Sequence, residues 1–307
     1  MDDRRRQLSP LIRIQPQDRR PRTFWLWVLF LVLAVLIGCL AYLAIQTFTR
    51  NRPVQPAKPA LESATKPTDA TVGHWGDRYC FAGLPQPSPA FHYQITVLTN
   101  LGYLVGYCES RKDPVWVCYR LFKVNNYEAP PRPKEFMTDT RTRARVVSHD
   151  YSRSGYDRGH MAPNYAIAVC YGQQGQQETF LMSNVIPQRP ALNRQVWEHL
   201  EQTEIKEYAP RFKQIWVIDG PVFRNRNQLK GGEDIPYACY KIIVKEGDSI
   251  PQVLAFIMPQ TVRGTEMPQQ FLTSVDEIEK ETGLDFFSAM PGDMQGKFEG
   301  KTATGMW

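Results

Sequence analysis

Asp157, Arg158 and His160 fall within four positions of the stretch "GYDRGHMAPNYA", residues 155–166, with Gly159 between the last two. A neutral imidazole near pH 7 can take a proton from water. Arg is permanently charged, and its planar fork fits a phosphate in bidentate fashion. A four-residue string of this kind also arises by chance as a solvated loop, so it decides nothing alone. The next 40 residues carry more weight, because "LMSNVIPQRPALNRQVWEHLE" supplies Asn184, Asn193 and Glu201 around a strand and the start of a helix. Asn193 and Glu201 are eight apart. In a regular α-helix eight steps end about 80° past two full turns and about 12 Å further along the axis, so both side chains lean toward one cavity. An Asn oxygen is a hard ligand suited to Mg²⁺, which keeps most of its waters and takes few protein ligands. Base, cation and metal ligand together describe metal-assisted phosphodiester hydrolysis. No G-x-S-x-G elbow and no Cys paired with a suitable His supports a serine or cysteine hydrolase.

These motifs resemble the DNA/RNA non-specific endonucleases, the ββα-metal nuclease group. The resemblance runs from "DRGH" through "SNVIPQ", "LNRQVWEHLE", "DGPVF" at Asp219 to Phe223 and "IPYACYKIIV" to "FLTSVDEIEKETGLDFF", in family order, over about residues 74–290. It implies an endonuclease acting on DNA and RNA with a single Mg²⁺, Mn²⁺ being able to substitute. His160 would be the general base, Asn193 the direct metal ligand, Glu201 the holder of the surrounding waters, and Arg158 the stabiliser of the pentacoordinate transition state. Asn184 would help position the site. A further cation precedes the motif, and Lys134 in "RPKEFMTD" takes that register, with Arg132 the other candidate by reach. Asp157 is expected to anchor the turn into the His strand rather than to bind metal. Arg145 and Arg153 are candidates for tracking the substrate's phosphates, within an Arg-rich run (Arg141, Arg143) whose commoner meaning is a solvated face. Trp197 is expected in the core rather than stacked on a base. The reading from a different class is a catalytically inactive nucleic-acid-binding protein on the same fold. The resemblance also allows a homodimer.

The elements that must hold these residues are short apolar runs rich in β-branched and aromatic residues. "FHYQITVL" and "GYLVGYC" read as a hairpin, and "PVWVCYRLFKV", "ETFLMSNV", "QIWVIDG", "CYKIIVK" and "PQVLAFIM" as further strands. "ALNRQVWEHLEQTEIKEY" has a helical stripe, and "SVDEIEKETG" opens with the capping pair Ser274 and Glu277 and closes at Gly283. The expected class is α+β: a mainly antiparallel sheet flanked by helices, preceded by one transmembrane helix.

That last helix comes from the N-terminus. Trp25 to Ile45 is 21 residues without a charge, enough at ~1.5 Å per residue to span a ~30 Å hydrocarbon core. The division expected is a basic tail over 1–23, a signal-anchor helix over 24–47, a Pro/Ala/Thr-rich linker over 48–73 and the nuclease-like domain over 74–307. Seven Arg precede the span, so the tail is expected in the cytoplasm of a bacterium and the domain outside its inner membrane, periplasmic or extracellular. "LIGC" at Leu36 to Cys39 offers a lipoprotein alternative through Cys39. Residues 1–52 hold nine Arg and three Asp of the chain's 37 basic and 31 acidic residues, leaving 28 of each beyond. The domain is therefore neutral overall, and the case for an anionic substrate rests on local residues. Five cysteines follow the span, Cys80, Cys108, Cys118, Cys170 and Cys239. The spacing of Cys108 and Cys118 is compatible with a hairpin disulfide.

Overall fold

Seven antiparallel strands form the central sheet of the computed structural model, which describes residues 38–39, 78–247 and 251–307. The strands in chain order are β1 (Gln86–Pro87), β2 (Thr96–Asn100), β3 (Tyr103–Cys108), β4 (Asp113–Phe122), β5 (Asp157–His160), β6 (Val185–Gln188), β7 (Gln214–Val222), β8 (Ala238–Lys245), β9 (Gln252–Pro259), β10 (Leu272–Thr273) and β11 (Leu284–Asp285). The large sheet runs β10-β9-β8-β7-β4-β3-β2, and β5 with β6, and β1 with β11, make two separate antiparallel pairs. Helix α1 spans Asn164–Glu178, α2 is a continuous helix over 190–212, α3 is Val275–Thr282 and α4 is Gly292–Glu299. The expected tail, span and linker lie outside the described residues except Gly38 and Cys39. Among the described residues no helix is long and apolar enough to cross a membrane.

Both faces of the sheet's central strands are covered, which is why β4, β7 and β8 are buried almost throughout instead of on alternate residues. Along β4, Val117 and Tyr119 join one core with Ile167 of α1 and Leu192, Trp197 and Leu200 of α2. Their neighbours Trp116 and Cys118 join a second core with Val275 and Ile278 of α3 and Phe298 of α4. The period-2 geometry of a strand assigns successive residues to opposite faces. Trp197 is fully inside, as expected. The β2–β3 hairpin closes through Leu101 and Gly102, whose φ of 101° a side chain would strain. Helix α3 is capped as its sequence implies: Ser274 Oγ accepts from the Glu277 N–H at 3.2 Å, and Gly283 ends it at φ 71°.

Two local expectations need correction, and one helix was not foreseen. "ETFLMSNV" is not one strand: Glu178 ends α1, a 3₁₀ turn covers Met182–Asn184, and only Val185 enters β6. The backbone there is satisfied by turns such as Asn184 N–H to Leu181 O at 2.9 Å, so no ladder is needed. Helix α1 itself has no sequence stripe to announce it, and Gly172 at φ 78° kinks it. Cys108 and Cys118 do not face each other, because Cys108 pairs with Asp113 and Cys118 with Leu104 in the β3–β4 register. Each thiol is free.

Candidate active site

Strand β5, strand β6 and the start of α2 form a ββα unit set beside the large sheet. Asp157 pairs with Gln188 and His160 with Val185 across the two strands. Gly159 is required by this pairing, since a Cβ there would stand 2.0 Å from Gln188 Oε1, inside any tolerable contact. The chain then turns through Arg189 into α2, which is not a regular α-helix. Leu192–Trp197 and Glu204–Tyr208 are wound in the wider i→i+5 manner, a local irregularity frequent at functional sites. The 80° offset expected for an ideal helix therefore does not apply between Asn193 and Glu201. Both nevertheless line one cleft of about 420 Å³, together with Arg132, Asp157, Arg158 and His160.

His160 packs between two rings, Phe136 at 5.1 Å and Phe180 at 4.9 Å between centroids. Its Nε2 is shielded from solvent and has no hydrogen-bond partner. Burial lowers its pKa to about 3, and the Arg132 charge works in the same direction. The ring is thus neutral at physiological pH. Arg132 reaches it across Phe180, its guanidinium lying 5.1 Å from that ring.

Asp157 organises the opposite wall. Its Oδ2 accepts from Asn193 Nδ2 at 3.0 Å, and Arg194 clamps both carboxylate oxygens, at 2.7 and 2.6 Å. Burial alone would raise its pKa, but the hydrogen bonds from Arg194 and Asn193 outweigh it and hold the carboxyl below the usual range. An ionised carboxylate only accepts, so the Asn193 amide must present its nitrogen to Asp157 and its Oδ1 elsewhere. Arg158 donates from Nε to the Ser148 carbonyl at 3.0 Å and from Nη2 to the same oxygen. Its Nη1 is left without a protein partner among the described residues.

Glu201 carries a shielded Oε1 with no donor, and Asn164 a shielded Oδ1 with none. Burial raises the Glu201 pKa to about 8, with Lys241 opposing and Glu204 and Asp219 adding to the rise. These oxygens and Asn193 Oδ1 are hard, unpartnered donors lining one cleft, a set that fits a small divalent cation. Beneath Glu201, Lys241 sits in the core with Nζ 3.0 Å from Glu204, 2.9 Å from Asp219 and 2.8 Å from the Tyr119 hydroxyl. Burial opposes its charge, yet the two carboxylates more than offset this and hold it protonated.

Other expected residues lie elsewhere. Asn184 does not line the cleft; fully buried, its Oδ1 accepts the Ala162 N–H at 2.9 Å and its Nδ2 donates to the Ala162 and Thr179 carbonyls. It fixes the backbone two residues beyond His160, a positioning task. Lys134 is exposed and outside the cleft lining, whereas Arg132 is part of it. Arg145 and Arg153 are exposed and do not line the cleft either. Arg141 is engaged within the fold, with Nη2 2.6 Å from Asp139 and 2.8 Å from Asn100 Oδ1. Sequence reasoning missed Phe136, Asn164, Tyr165, Arg194, Glu198 and Gln202 as lining residues. Arg194 carried a signal, since it directly follows Asn193 in a motif already singled out; Phe136 and Asn164 carried none.

The ββα unit that carries His160 and Asn193 defines a nuclease-like class of fold, and comparison with known proteins gives the family. The family model "DNA/RNA non-specific endonuclease" matches residues 86–293. The chain belongs to the DNA/RNA non-specific endonuclease family. It is 31% identical to a protein named "Nuclease" from Nostoc sp. over 236 residues, covering 71% of this chain and 84% of that one. It is 30% identical to "Nuclease EXOG, mitochondrial" of Danio rerio over 61% of this chain and 60% of that protein, so it spans under two thirds of that relative's length. A crystal structure of an EndoG/EndoGI complex, described as the mechanism of EndoG inhibition, matches with a TM-score of 0.58 at 26% identity, over 64% of this chain and 86% of that one.

Proposed function

We propose that the protein is a metal-dependent endonuclease that hydrolyses phosphodiester bonds of DNA and RNA. The observation that carries this reading is the pairing, on one cleft, of an uncharged and unbonded His160 with an Asn193 whose amide is turned by Asp157. A base must be unprotonated before it acts, and burial supplies that condition here. Water entering beside His160 loses its proton to a ring nitrogen as its oxygen attacks phosphorus, while the bond from phosphorus to the leaving sugar oxygen breaks and that oxygen takes a proton from solvent. The incoming phosphodiester charge offsets Arg132 and raises the ring's basicity when the proton has to be taken. Arg158, steadied by the Ser148 carbonyl, offers Nη1 to the non-bridging oxygens, and Arg132 adds positive charge at the same mouth.

The cation proposed is Mg²⁺, with Mn²⁺ able to substitute. Asn193 Oδ1 would hold it directly and Glu201 would hold its water shell. When bound it supplies Lewis-acid stabilisation of charge on the phosphate oxygens. Every role proposed above acts on phosphate and none on a base edge, which supports cleavage with little sequence preference. The full chain should degrade plasmid DNA and RNA with Mg²⁺ and stop with EDTA; cleavage unaffected by EDTA would sink the metal-dependent reading.

The uncharged run over 24–47 and the seven preceding Arg support a single-pass anchor in a bacterial inner membrane, with the nuclease domain periplasmic or extracellular. Protease added to spheroplasts should digest the domain. Digestion only after lysis would contradict the outward orientation.

A further inference from the structure

Three carboxylates gather where helices α3 and α4 meet, and none of them lines the cleft described above. Asp276 and Glu279 lie one turn apart on α3, and Glu299 ends α4. One oxygen of each lies within 4.8 Å of the others. Glu299 is 5% exposed, and its Oε1 is shielded from solvent with no hydrogen-bond partner. A buried, undonated carboxylate oxygen is costly unless something positive meets it. No basic group is among the charges acting on either buried carboxylate: Asp285 and Asp276 act on Glu279, and Glu279, Asp276 and Asp285 act on Glu299, against only the Phe286 N–H bonded to Glu279 and the Gln295 side chain beside Glu299. The approach is also built into the backbone, because a side chain on Gly300 would meet Asp276 Oδ2 at 3.3 Å and the Gly296 carbonyl at 3.2 Å.

We propose that Asp276, Glu279 and Glu299 bind a divalent cation of calcium type, which ties α4 to α3. Oxygens no more than 4.8 Å apart leave a point within about 2.8 Å of all three, close to the ~2.3–2.6 Å of Ca²⁺–oxygen bonds. Mg²⁺ needs ~2.0–2.1 Å and near-ideal octahedral order, which this spacing serves less well. Asp276 is exposed, so water completes the shell from outside. With a cation present, the mutual repulsion of the three carboxylates becomes attraction through a shared ion. The site goes beyond the proposed nuclease reaction and does not depend on it.

The test is thermal unfolding of the full chain in detergent micelles, first in EDTA and then with CaCl₂. Affinity of the extracellular kind, ~0.1–1 mM, is expected. At about 100 times the Kd the melting temperature should rise by roughly 5–10 °C. The rise should persist in Asn193→Ala and vanish in Glu279→Gln/Glu299→Gln. In EDTA that double variant should melt at or above the wild-type temperature, since it loses like-charge repulsion, so its lost response is not a failure to fold. Three results would overturn the proposal. One is no calcium-dependent rise in the wild type. The second is a rise that survives the double variant and disappears in Asn193→Ala. The third is stability gained on acidification from about pH 8 to 6 with no response to calcium, which would mean that protons hold the cluster.

Discussion

Asp157 Oδ2 accepts a hydrogen bond from Asn193 Nδ2 at 3.0 Å, so the first residue of the "DRGH" string sets the orientation of an amide 36 residues later. Outer partners of a ligating side chain of this kind typically govern affinity by ~10–100-fold. Asp157→Asn removes the obligate acceptor and frees the Asn193 amide to flip. The Mg²⁺ concentration for half-maximal cleavage should rise by about that factor while saturating activity falls less. An unchanged Mg²⁺ dependence would show that Asn193 is not held for a metal.

The lowered pKa of His160 has a signed consequence for stability. Its folded pKa is about 3 and its ordinary value 6.5, so below pH 6.5 the unfolded chain binds a proton that the folded chain refuses. Stability should therefore fall as pH drops from 6.5 toward 3, by up to ~1.4 kcal/mol per pH unit from this group. His160→Gln should remove that slope in denaturant melts at stepped pH. An equal slope in both proteins would contradict the buried neutral ring.

Glu201 carries the opposite sign. Its folded pKa of about 8 lies above the ordinary 4.5, so its contribution is favourable below pH 4.5 and is lost as pH rises toward 8. In EDTA, Glu201→Gln should melt above the wild type at pH 8, with the difference shrinking toward pH 4.5. Equal melting temperatures at pH 8 would place the carboxylate in solvent.

Lys241 compensates two buried carboxylates at once, at 3.0 and 2.9 Å. Removing it in Lys241→Met leaves Glu204 and Asp219 without a cation, and breaking a buried pair in this way costs about 3–5 kcal/mol. Chemical denaturation should show that loss. A loss under about 1 kcal/mol would mean that the carboxyls are already protonated.

Gly159→Ala tests the strand pair itself. The added methyl meets Gln188 Oε1 at 2.0 Å, and Gln188 is wholly buried with its Nε2 on Cys239 Sγ, so it has little room to retreat. A destabilisation of ~1–3 kcal/mol is expected, with cleavage reduced further than stability alone explains because His160 and Arg158 flank the shifted residue. Wild-type cleavage in this variant would show that the β5–β6 register does not set the site.

Much of this arrangement was legible in the sequence because residue type and order carried it. His160, Asn193 and Glu201 were singled out together, and they do share one cleft. The α+β class and most strands followed from β-branched runs, and α3 from its cap. What was not legible depends on contacts distant in sequence. Helix α1 lacks an apolar stripe, the π-wound turns of α2 have no signature in residue type, and Phe136 joins His160 only through tertiary packing. Residue type alone does not distinguish Asn184 from Asn193; the resemblance gives them different roles, and burial shows how Asn184 performs its own, by clamping backbone away from the cleft. Register favours Lys134 over Arg132, but it is Arg132 that lies at the cleft, because register does not report how the loop ahead of the motif folds back. The network of Lys241, Glu204, Asp219 and Tyr119 draws on four separate elements, and although two of them fall in motifs already quoted, nothing in the local sequence says that the four side chains meet.

The proposed reaction turns on His160 as the base. The most direct measurement is the cleavage rate of plasmid DNA and of RNA by the full chain and its His160→Ala variant, at saturating Mg²⁺ and matched by circular dichroism for folding. A loss of about 10²–10⁴-fold on both substrates is expected, with the fold retained. A folded His160→Ala protein that cleaves at the wild-type rate would contradict it.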